Sequence, residues 1–400
     1  MNTVAIVVIC YNKVDSLLRL LESLNRADYG EDEPTLIISI DKSDNPRVEK
    51  TAQEFEWYHG EKKIRTFSER QGLRKHVLSC GAYLHVYDAL YVFEDDTLAA
   101  ESYYQFGKRC IEFYKENESI AGIALYSPAW NQNANFPFEP IRNQYDTYFM
   151  QYAPSWGQIW LKKPWLDFIE WYQNNQRLFE IKENNDIPSI LYSWGENSWL
   201  KYHVAYCAIK KKYFVYPYCS YTTDFVEKGT HFVQNITRFQ VNLIQGRIKE
   251  LCLAPFNDEA VYYNAFFENE QIRQFYQKKN IKVKVDLYGC QSVSPNMGFI
   301  LTTQNLPFQV IEEYALQLRP VELNVLMKIE GKGIFLYDTS KKVSKAPEKR
   351  SNFYVRRWDY FMKDRFFMWN EIIPLCVAKA ANLLRSFSKG DKNDRTKSKT

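Results

Sequence analysis

The segment Ala89-Leu90-Tyr91-Val92-Phe93-Glu94-Asp95-Asp96 constrains this chain most: an unbroken apolar run that stops on three consecutive carboxylates. A strand with one wet face alternates apolar and polar residues, so a continuous run with β-branched and aromatic members predicts a strand buried on both faces. Such strands belong to helix-covered parallel sheets, whose ligands bind beyond the carboxyl ends of the strands. Three acids at that edge point to a site for a hard divalent cation and the phosphates it carries. A surface turn, which also collects acids, is the alternative.

The same pattern recurs upstream. Residues 4–9 form a continuous apolar run, followed by Leu17, Leu18, Leu20, Leu21 and Leu24 at helical spacing, with Asp15 as the predicted N-cap. Residues 35–40 are a second apolar run and end on Asp41. A helix over 46–58, a short strand over 63–67 and a helix over 73–87 then lead into the Ala89 strand. Three strand-then-helix units leading into a fourth strand predict an α/β doubly wound sheet, and right-handed crossovers place the carboxyl ends of its strands on one edge. No Gly-x-Gly-x-x-Gly follows the first strand and no Gly-x-x-x-x-Gly-Lys-Ser/Thr loop occurs, which argues against a dinucleotide-binding domain and a P-loop NTPase.

Composition adds bounds. The 400 residues are 46% hydrophobic, enough for a full core. The 29 Tyr, 26 Phe and 10 Trp exceed ordinary core needs and fit faces that stack on sugars, bases or lipid headgroups, or else an AT-rich coding sequence. Net charge is +4, but residues 341–400 hold sixteen Lys/Arg and six Asp/Glu, leaving 36 against 42 for the first 340. An anionic partner is therefore expected for the tail alone, and no nucleic acid for the body. The eight cysteines form no Cys-x-x-Cys pair and mostly lie in apolar runs, which predicts reduced, buried thiols of a cytoplasmic protein and no zinc site. The first residues lack a basic segment and a small-residue cleavage site, and no apolar stretch is long enough to span a bilayer, so neither signal peptide nor transmembrane helix is expected.

Several blocks together resemble a known family. Cys10-Tyr11-Asn12-Lys13, Asp41-Lys42-Ser43, Gln71-Gly72-Leu73-Arg74-Lys75-His76 and Phe93-Glu94-Asp95-Asp96 resemble the nucleotide-sugar half of GT-A glycosyltransferases. The Glu-Asp-Asp form looks closest to N-acetylglucosaminyltransferase I and related bacterial family-2-like enzymes. Ala153-Pro154-Ser155-Trp156-Gly157-Gln158-Ile159-Trp160 with Trp165 is similar to the Trp-Gly block of the bacterial group, and Ser198-Trp199 through Gly229-Thr230-His231 to its closing motif. The resemblance covers roughly residues 1–235 in five ordered blocks. It implies a GT-A fold, a Rossmann-like, mostly parallel sheet with flanking helices, and a UDP-sugar donor with Mn²⁺ or Mg²⁺.

By the family pattern Asp96 binds the metal directly, and Asp95 faces the ribose or reaches the metal through water. Glu94 contacts the donor sugar. Asn12 lies in the first donor-binding block, and Asp41 accepts hydrogen bonds from the uracil or ribose. Arg74, or equally Lys75 or His76, answers a phosphate. His231 completes the metal shell or touches the diphosphate; otherwise it is a loop histidine bonded to a carbonyl. An inverting transfer also needs a general base beside the acceptor hydroxyl. The candidates are Asp146, Asp167, Glu170, Glu183, Asp186, Glu196, Asp224 and Glu227. Glu196, between Trp194 and Trp199, is chosen, with Asp224 next; a helix N-terminal position is the structural reading of Glu196. Trp130, Trp156, Trp160 and Trp165 are core or acceptor platform.

Beyond about 238, residues 240–250 are expected to be helical, and runs at 281–287, 298–301, 323–327 and 334–337 to form a strand-rich appendage. The tail alternates aromatic and basic residues from Tyr354 to Trp369. That predicts an amphipathic helix lying on an anionic bilayer or packed on the catalytic domain, with a disordered end after about 388. The expected organisation is a catalytic domain over 1–250, an α+β appendage over 251–340 and the basic tail over 341–400. The expected function is glycosyl transfer, of a hexosyl or N-acetylhexosaminyl group, to a glycan or lipid-linked acceptor for bacterial surface polysaccharide, by a peripheral protein on the inner face of the membrane. The rivals are a sugar nucleotidyltransferase, which should carry a Gly-rich loop after the first strand, and a non-catalytic glycan- or nucleotide-binding module.

Overall fold

A computed structural model describes residues 3–181, 184–225, 237–247 and 250–362, with 377 and 380. Residues 1–348 form one compact unit and 349–400 a second.

The first unit opens with the predicted units in order. Strands β1 (Val4–Cys10), β2 (Thr35–Ile40), β3 (Lys62–Thr66) and β4 (Ala89–Glu94) alternate with helices α1 (Val14–Asn25), α2 (Pro46–Glu54) and α3 (Leu73–Cys80), the last followed by a 3-10 turn over Gly81–His85. These strands are parallel and lie in the order β3-β2-β1-β4, as right-handed crossovers require. β1 and β4 are buried along nearly their whole length because helices cover both faces. Helix α1 turns Leu17, Leu20, Leu21 and Leu24 inward and leaves Leu18 exposed. Its N-cap is Lys13 rather than the expected Asp15, which lies in the first turn, where a carboxylate still favours the positive end of the helix. α2 is shorter than predicted, with Pro46 at its start and the Asn45 carboxamide accepting from Arg47 N–H at 3.2 Å.

The chain then adds β5 (Thr97–Ala99), α4 (Tyr103–Tyr114) and β6 (Ile120–Ala124), a short hairpin of β7 (Trp130–Asn131) and β8 (Phe136–Pro137), and β9 (Thr147–Met150) and β10 (Gln158–Leu161). Helices α5 (Lys162–Asn174), α6 (Ile190–Ser193) and α7 (Leu200–Lys210) precede β11 (Tyr213–Pro217), β12 (Thr222–Asp224) and β13 (Tyr262–Tyr263). The nine-stranded sheet reads β13-β9-β11-β6-β10-β4-β1-β2-β3. β10 lies antiparallel between β4 and β6, and β9 and β13 also run against the main direction. The expected α/β class and mostly parallel sheet are therefore what is observed.

After α8 (Glu270–Gln277), a second sheet of β14 (Val283–Asp286), β15 (Phe299–Thr302), β16 (Phe308–Tyr314) and β17 (Ile334–Lys342) has the order β14-β15-β17-β16. Residues 323–327 are not a strand. They form the helical turn α9 (Leu323–Leu326), fixed by the Asn324 side chain, which accepts from Gln317 N–H and Leu318 N–H and donates to the Leu318 and Val321 carbonyls. The described part of residues 240–250 is not helical either. Val241 N–H donates to Thr223 Oγ1 and Ile244 N–H to the Ser220 carbonyl, so this backbone is bound to the β12 region instead of to itself. Of the seven described cysteines, Cys10, Cys80, Cys110 and Cys207 are buried, while Cys219, Cys252 and Cys290 are exposed. In the second unit, α10 (Arg350–Met362) carries exposed Tyr354 and Trp358 one turn apart and buries Phe353, Tyr360 and Phe361; the aromatic and basic positions from Lys363 to Trp369 and the end after 388 lie outside the described residues.

Behind the sheet, aromatic rings fill the space between α5, α7 and β10. Trp160 and Trp165 are fully buried and stack at 3.7 Å, and Trp160 meets Trp199 edge-on at 5.8 Å. His203 of α7 lies flat on Phe168 at 4.1 Å, is 0% exposed, and has no hydrogen-bond partner on either ring nitrogen among the described residues. Burial holds its pKa down at about 3, so the ring stays neutral. The sign follows. Above the unfolded pKa of about 6.5 the ring is neutral in both states and stability is full; below it only the unfolded chain takes up the proton, and stability falls by about 1.4 kcal/mol per pH unit until the folded pKa is reached. Between pH 7 and pH 5, urea denaturation of the wild type is expected to show about 2 kcal/mol more acid loss than that of His203→Phe. Equal losses in the two proteins would contradict this.

Candidate active site at the carboxyl edge of the sheet

β1, β2 and β4 end side by side, and each end delivers polar groups to the same edge. β2 ends at Ile40, and the next residue, Asp41, is 4% exposed. Its carboxylate accepts from the N–H groups of Gln71 at 2.7 Å, Gly72 at 2.9 Å and Lys42 at 2.8 Å. Asp41 thus holds the loop that starts α3. Gly72 is required there by its backbone, with φ +74°, and not by space, since a Cβ would meet nothing within 4 Å. His76 of α3 is buried, bonds Ser39 Oγ at 2.8 Å, and is held by burial at a pKa of about 4.

β1 ends at Cys10, and Tyr11 lies between the other two ends. Its N–H donates to Asp95 at 3.3 Å, and the Arg70 guanidinium covers its ring at 4.7 Å. Asn12 is exposed, and its carbonyl accepts from the Asn45 side chain at 3.1 Å.

β4 stays buried through Phe93 and stops at Glu94; Asp95 and Asp96 form a turn. Burial, then the charges of Asp96 and Asp95, push the Glu94 carboxyl up to about 8, while the Trp199 side-chain hydrogen bond and Lys13 pull the other way. The chain continues directly into β5, which pairs antiparallel with β12, so that Asp224 stands opposite Thr97 and Phe225 N–H donates to the Asp96 carbonyl at 2.7 Å. Gly157, at φ +85°, permits this packing: a Cβ there would lie 2.8 Å from Thr222 Cγ2. Asp224 is 8% exposed, and its carboxyl is raised to about 6 by burial and then by Asp96.

Asp96 thus acts on both Glu94 and Asp224, and these two bind protons more tightly because of burial and then their negative neighbours. A cation among them would relieve both effects, so the donor set fits a hard divalent ion. Among the described residues no group of three or more His, Cys, Asp or Glu is arranged to hold a metal by itself. His231 lies outside the described residues, as do Glu183 and Glu227.

Arg74 points to α7, donating to Tyr202 OH at 3.0 Å and lying 5.4 Å from the centre of that ring. Glu196 is exposed on the turn before α7, where its charge and that of Arg74 both act on Lys201. That turn leads to Trp199, the partner of Glu94. Asp167, Glu170 and Asp186 are exposed, and Asp146 binds Cys252 N–H at 2.7 Å. Trp160 and Trp165 are core, whereas Trp130 and Trp156 are half-buried, Trp156 stacking on Phe239 at 5.1 Å. Tyr11, Lys13, Arg70 and Trp199 were not singled out from the sequence as parts of this edge. Tyr11 and Lys13 were legible in principle, since they directly follow the first buried run.

No family model matches the chain, and no curated protein matches its sequence. Solved structures give distant matches. GalNAc-T7 with UDP, GalNAc and Mn²⁺ shares 12% identity at a TM-score of 0.39, over 60% of this chain and 45% of that one. S. aureus TarS 1–349 in complex with UDP-GlcNAc shares 13% at 0.34, over 57% and 60%. The mannosyltransferase PcManGT from Pyrobaculum calidifontis with GDP-Man and Mn²⁺ shares 12% at 0.30, over 42% and 46%. The chain thus spans less than two thirds of each of these proteins, and scores this low carry no inference.

Proposed function

We propose that the protein is a metal-dependent GT-A glycosyltransferase that moves a sugar from a UDP-sugar to a hydroxyl of a glycan acceptor, with inversion. The observation that carries this reading is the convergence of Glu94, Asp95, Asp96 and Asp224 at the end of β4, in the order of motifs by which the sequence resembles that family. Residues 1–250 are the catalytic part in this reading.

Asp96 and His231 would hold the cation, which when bound supplies positive charge to the diphosphate leaving group. Glu94 would orient the donor sugar, itself fixed by the Trp199 hydrogen bond. Asp95 is tied to Tyr11 N–H and so aligned with the ends of both β1 and β4. Asp41, through its three backbone bonds, would set the loop that borders the nucleoside. Arg74 would answer a phosphate, and Glu196 would take the proton of the acceptor hydroxyl.

The test is thermal unfolding with UDP, UDP-sugars and GDP-sugars, each with and without Mn²⁺. A ligand that binds only the native state stabilises it by about 2.7 kcal/mol at a hundredfold excess over Kd. A rise in Tm with uridine nucleotides that is larger in Mn²⁺ is expected. No shift with any nucleotide, with or without the metal, would sink the reading.

A further inference from the structure

We propose that Asp224 is the second carboxylate of the cation site and binds, with Asp96, the same divalent ion; this rests on the reading of the edge as a cation–diphosphate site. β5 and β12 form an antiparallel ladder beside the end of β4. Asp224 lies directly opposite Thr97, and directly opposed residues of an antiparallel pair project to the same face with Cβ atoms about 5 Å apart. Thr97 is 0% exposed and Asp224 8% exposed, and among the described residues neither the Thr97 hydroxyl nor Asp224 Oδ1 has a hydrogen-bond partner. Two buried oxygens with no hydrogen bond thus belong to one opposed pair, one residue along from Asp96.

A carboxylate oxygen withdrawn from water without a partner costs far more than an ordinary lost hydrogen bond, and folds retain one where a ligand completes it. Asp96 directly precedes Thr97 and its carbonyl accepts from Phe225 N–H at 2.7 Å, which brings two acidic residues to one end of the ladder, so the ligand that suits both is positive. A hydrogen-bond donor alone would leave the repulsion in place. A divalent ion answers both, with one carboxylate from the turn after β4 and one from β12.

Mg²⁺-type sites commonly take one or two carboxylates and draw the remaining oxygens from substrate phosphates and water. A two-carboxylate site of this kind binds its ion together with the nucleotide, and poorly without it. This separates Asp224 from a general base, which would leave metal binding unaffected.

The experiment is titration of Mn²⁺ into the full-length protein with and without UDP, following free Mn²⁺ by electron paramagnetic resonance, on wild type, Asp96→Asn, Asp224→Asn and Asp224→Ser. Wild type is expected to bind one Mn²⁺ far more tightly with UDP than without. Either Asp224 variant, if its unfolding transition stays cooperative, is expected to weaken Mn²⁺ binding in the presence of UDP by about tenfold or more, while metal-free UDP binding is unchanged. Mn²⁺ affinity within twofold of wild type in both Asp224 variants, with Asp96→Asn defective, overturns the inference and leaves the proposed function standing. Absence of UDP-dependent Mn²⁺ binding in the wild type removes the proposed function itself.

Discussion

Asp96→Asn is expected to lower Mn²⁺-dependent release of UDP from the donor that the wild type turns over by about a hundredfold or more. The substitution keeps the size and shape of the side chain and removes the charge. Asp96 is the residue on which the site's geometry centres: it follows β4, precedes β5, accepts from Phe225 N–H just after β12, and acts electrostatically on Glu94 and Asp224. Loss of cation-borne charge stabilisation is worth several kcal/mol, and each 1.36 kcal/mol is tenfold in rate. Removing one of four crowded carboxylates also relieves repulsion, so the variant's Tm should equal or exceed that of wild type while activity falls. UDP release within threefold of wild type would rule Asp96 out as a metal ligand.

Trp165→Ala is expected to be the most damaging substitution for the fold. Trp165 is 2% exposed, stacks on Trp160 at 3.7 Å, meets Phe168 at 5.3 Å, and fills the space over Gly81 so closely that a Cβ there would lie 2.0 Å from its Nε1. Truncation leaves a cavity bounded by rigid rings that cannot collapse into it, at a cost of about 3–5 kcal/mol. That is a large share of a typical total of about 5–15 kcal/mol. Denaturant unfolding should show the midpoint falling sharply with little change in slope. The loss should also reach the site, because Trp160 packs on Trp199, which bonds Glu94. A stability change under about 1 kcal/mol would show that the stack contributes little.

The parts of this molecule that were legible in its sequence are those where local pattern and tertiary environment agree. β1 and β4 are apolar almost throughout, and β2 is broken only by Thr35 and Ser39, because both faces are covered, so their runs and their polar ends could be read directly, and the acids at positions 41 and 94–96 fall where the runs stop. Helix ends were less accurate: 73–87 divides into α3 and a 3-10 turn at Gly81, beneath Trp165, where no side chain fits. Residues 240–247 have helical spacing, but their backbone is bound by Ser220 and Thr223, which no local pattern reports. Leu323–Leu326 is apolar and short, which suits a strand; the Asn324 side chain bonds the flanking backbone and closes a helical turn. β16 escaped notice because Glu312 and Glu313 interrupt it, although Glu312 is held by Tyr276, Tyr314 and Lys279. At the site, Asp224 was one of eight possible bases in the sequence. Only the pairing of β12 with β5 brings it to Asp96, and that contact spans a separation no motif encodes.

The central claim is that the acidic end of β4 reaches a pyrophosphate through a divalent ion. Anomalous diffraction from crystals of the protein soaked with UDP and Mn²⁺ tests it most directly. The expected result is a manganese peak about 2 Å from an Asp96 carboxylate oxygen, with the diphosphate on its far side. Ordered UDP with no manganese near residues 94–96, or manganese bound elsewhere on the protein, would contradict it.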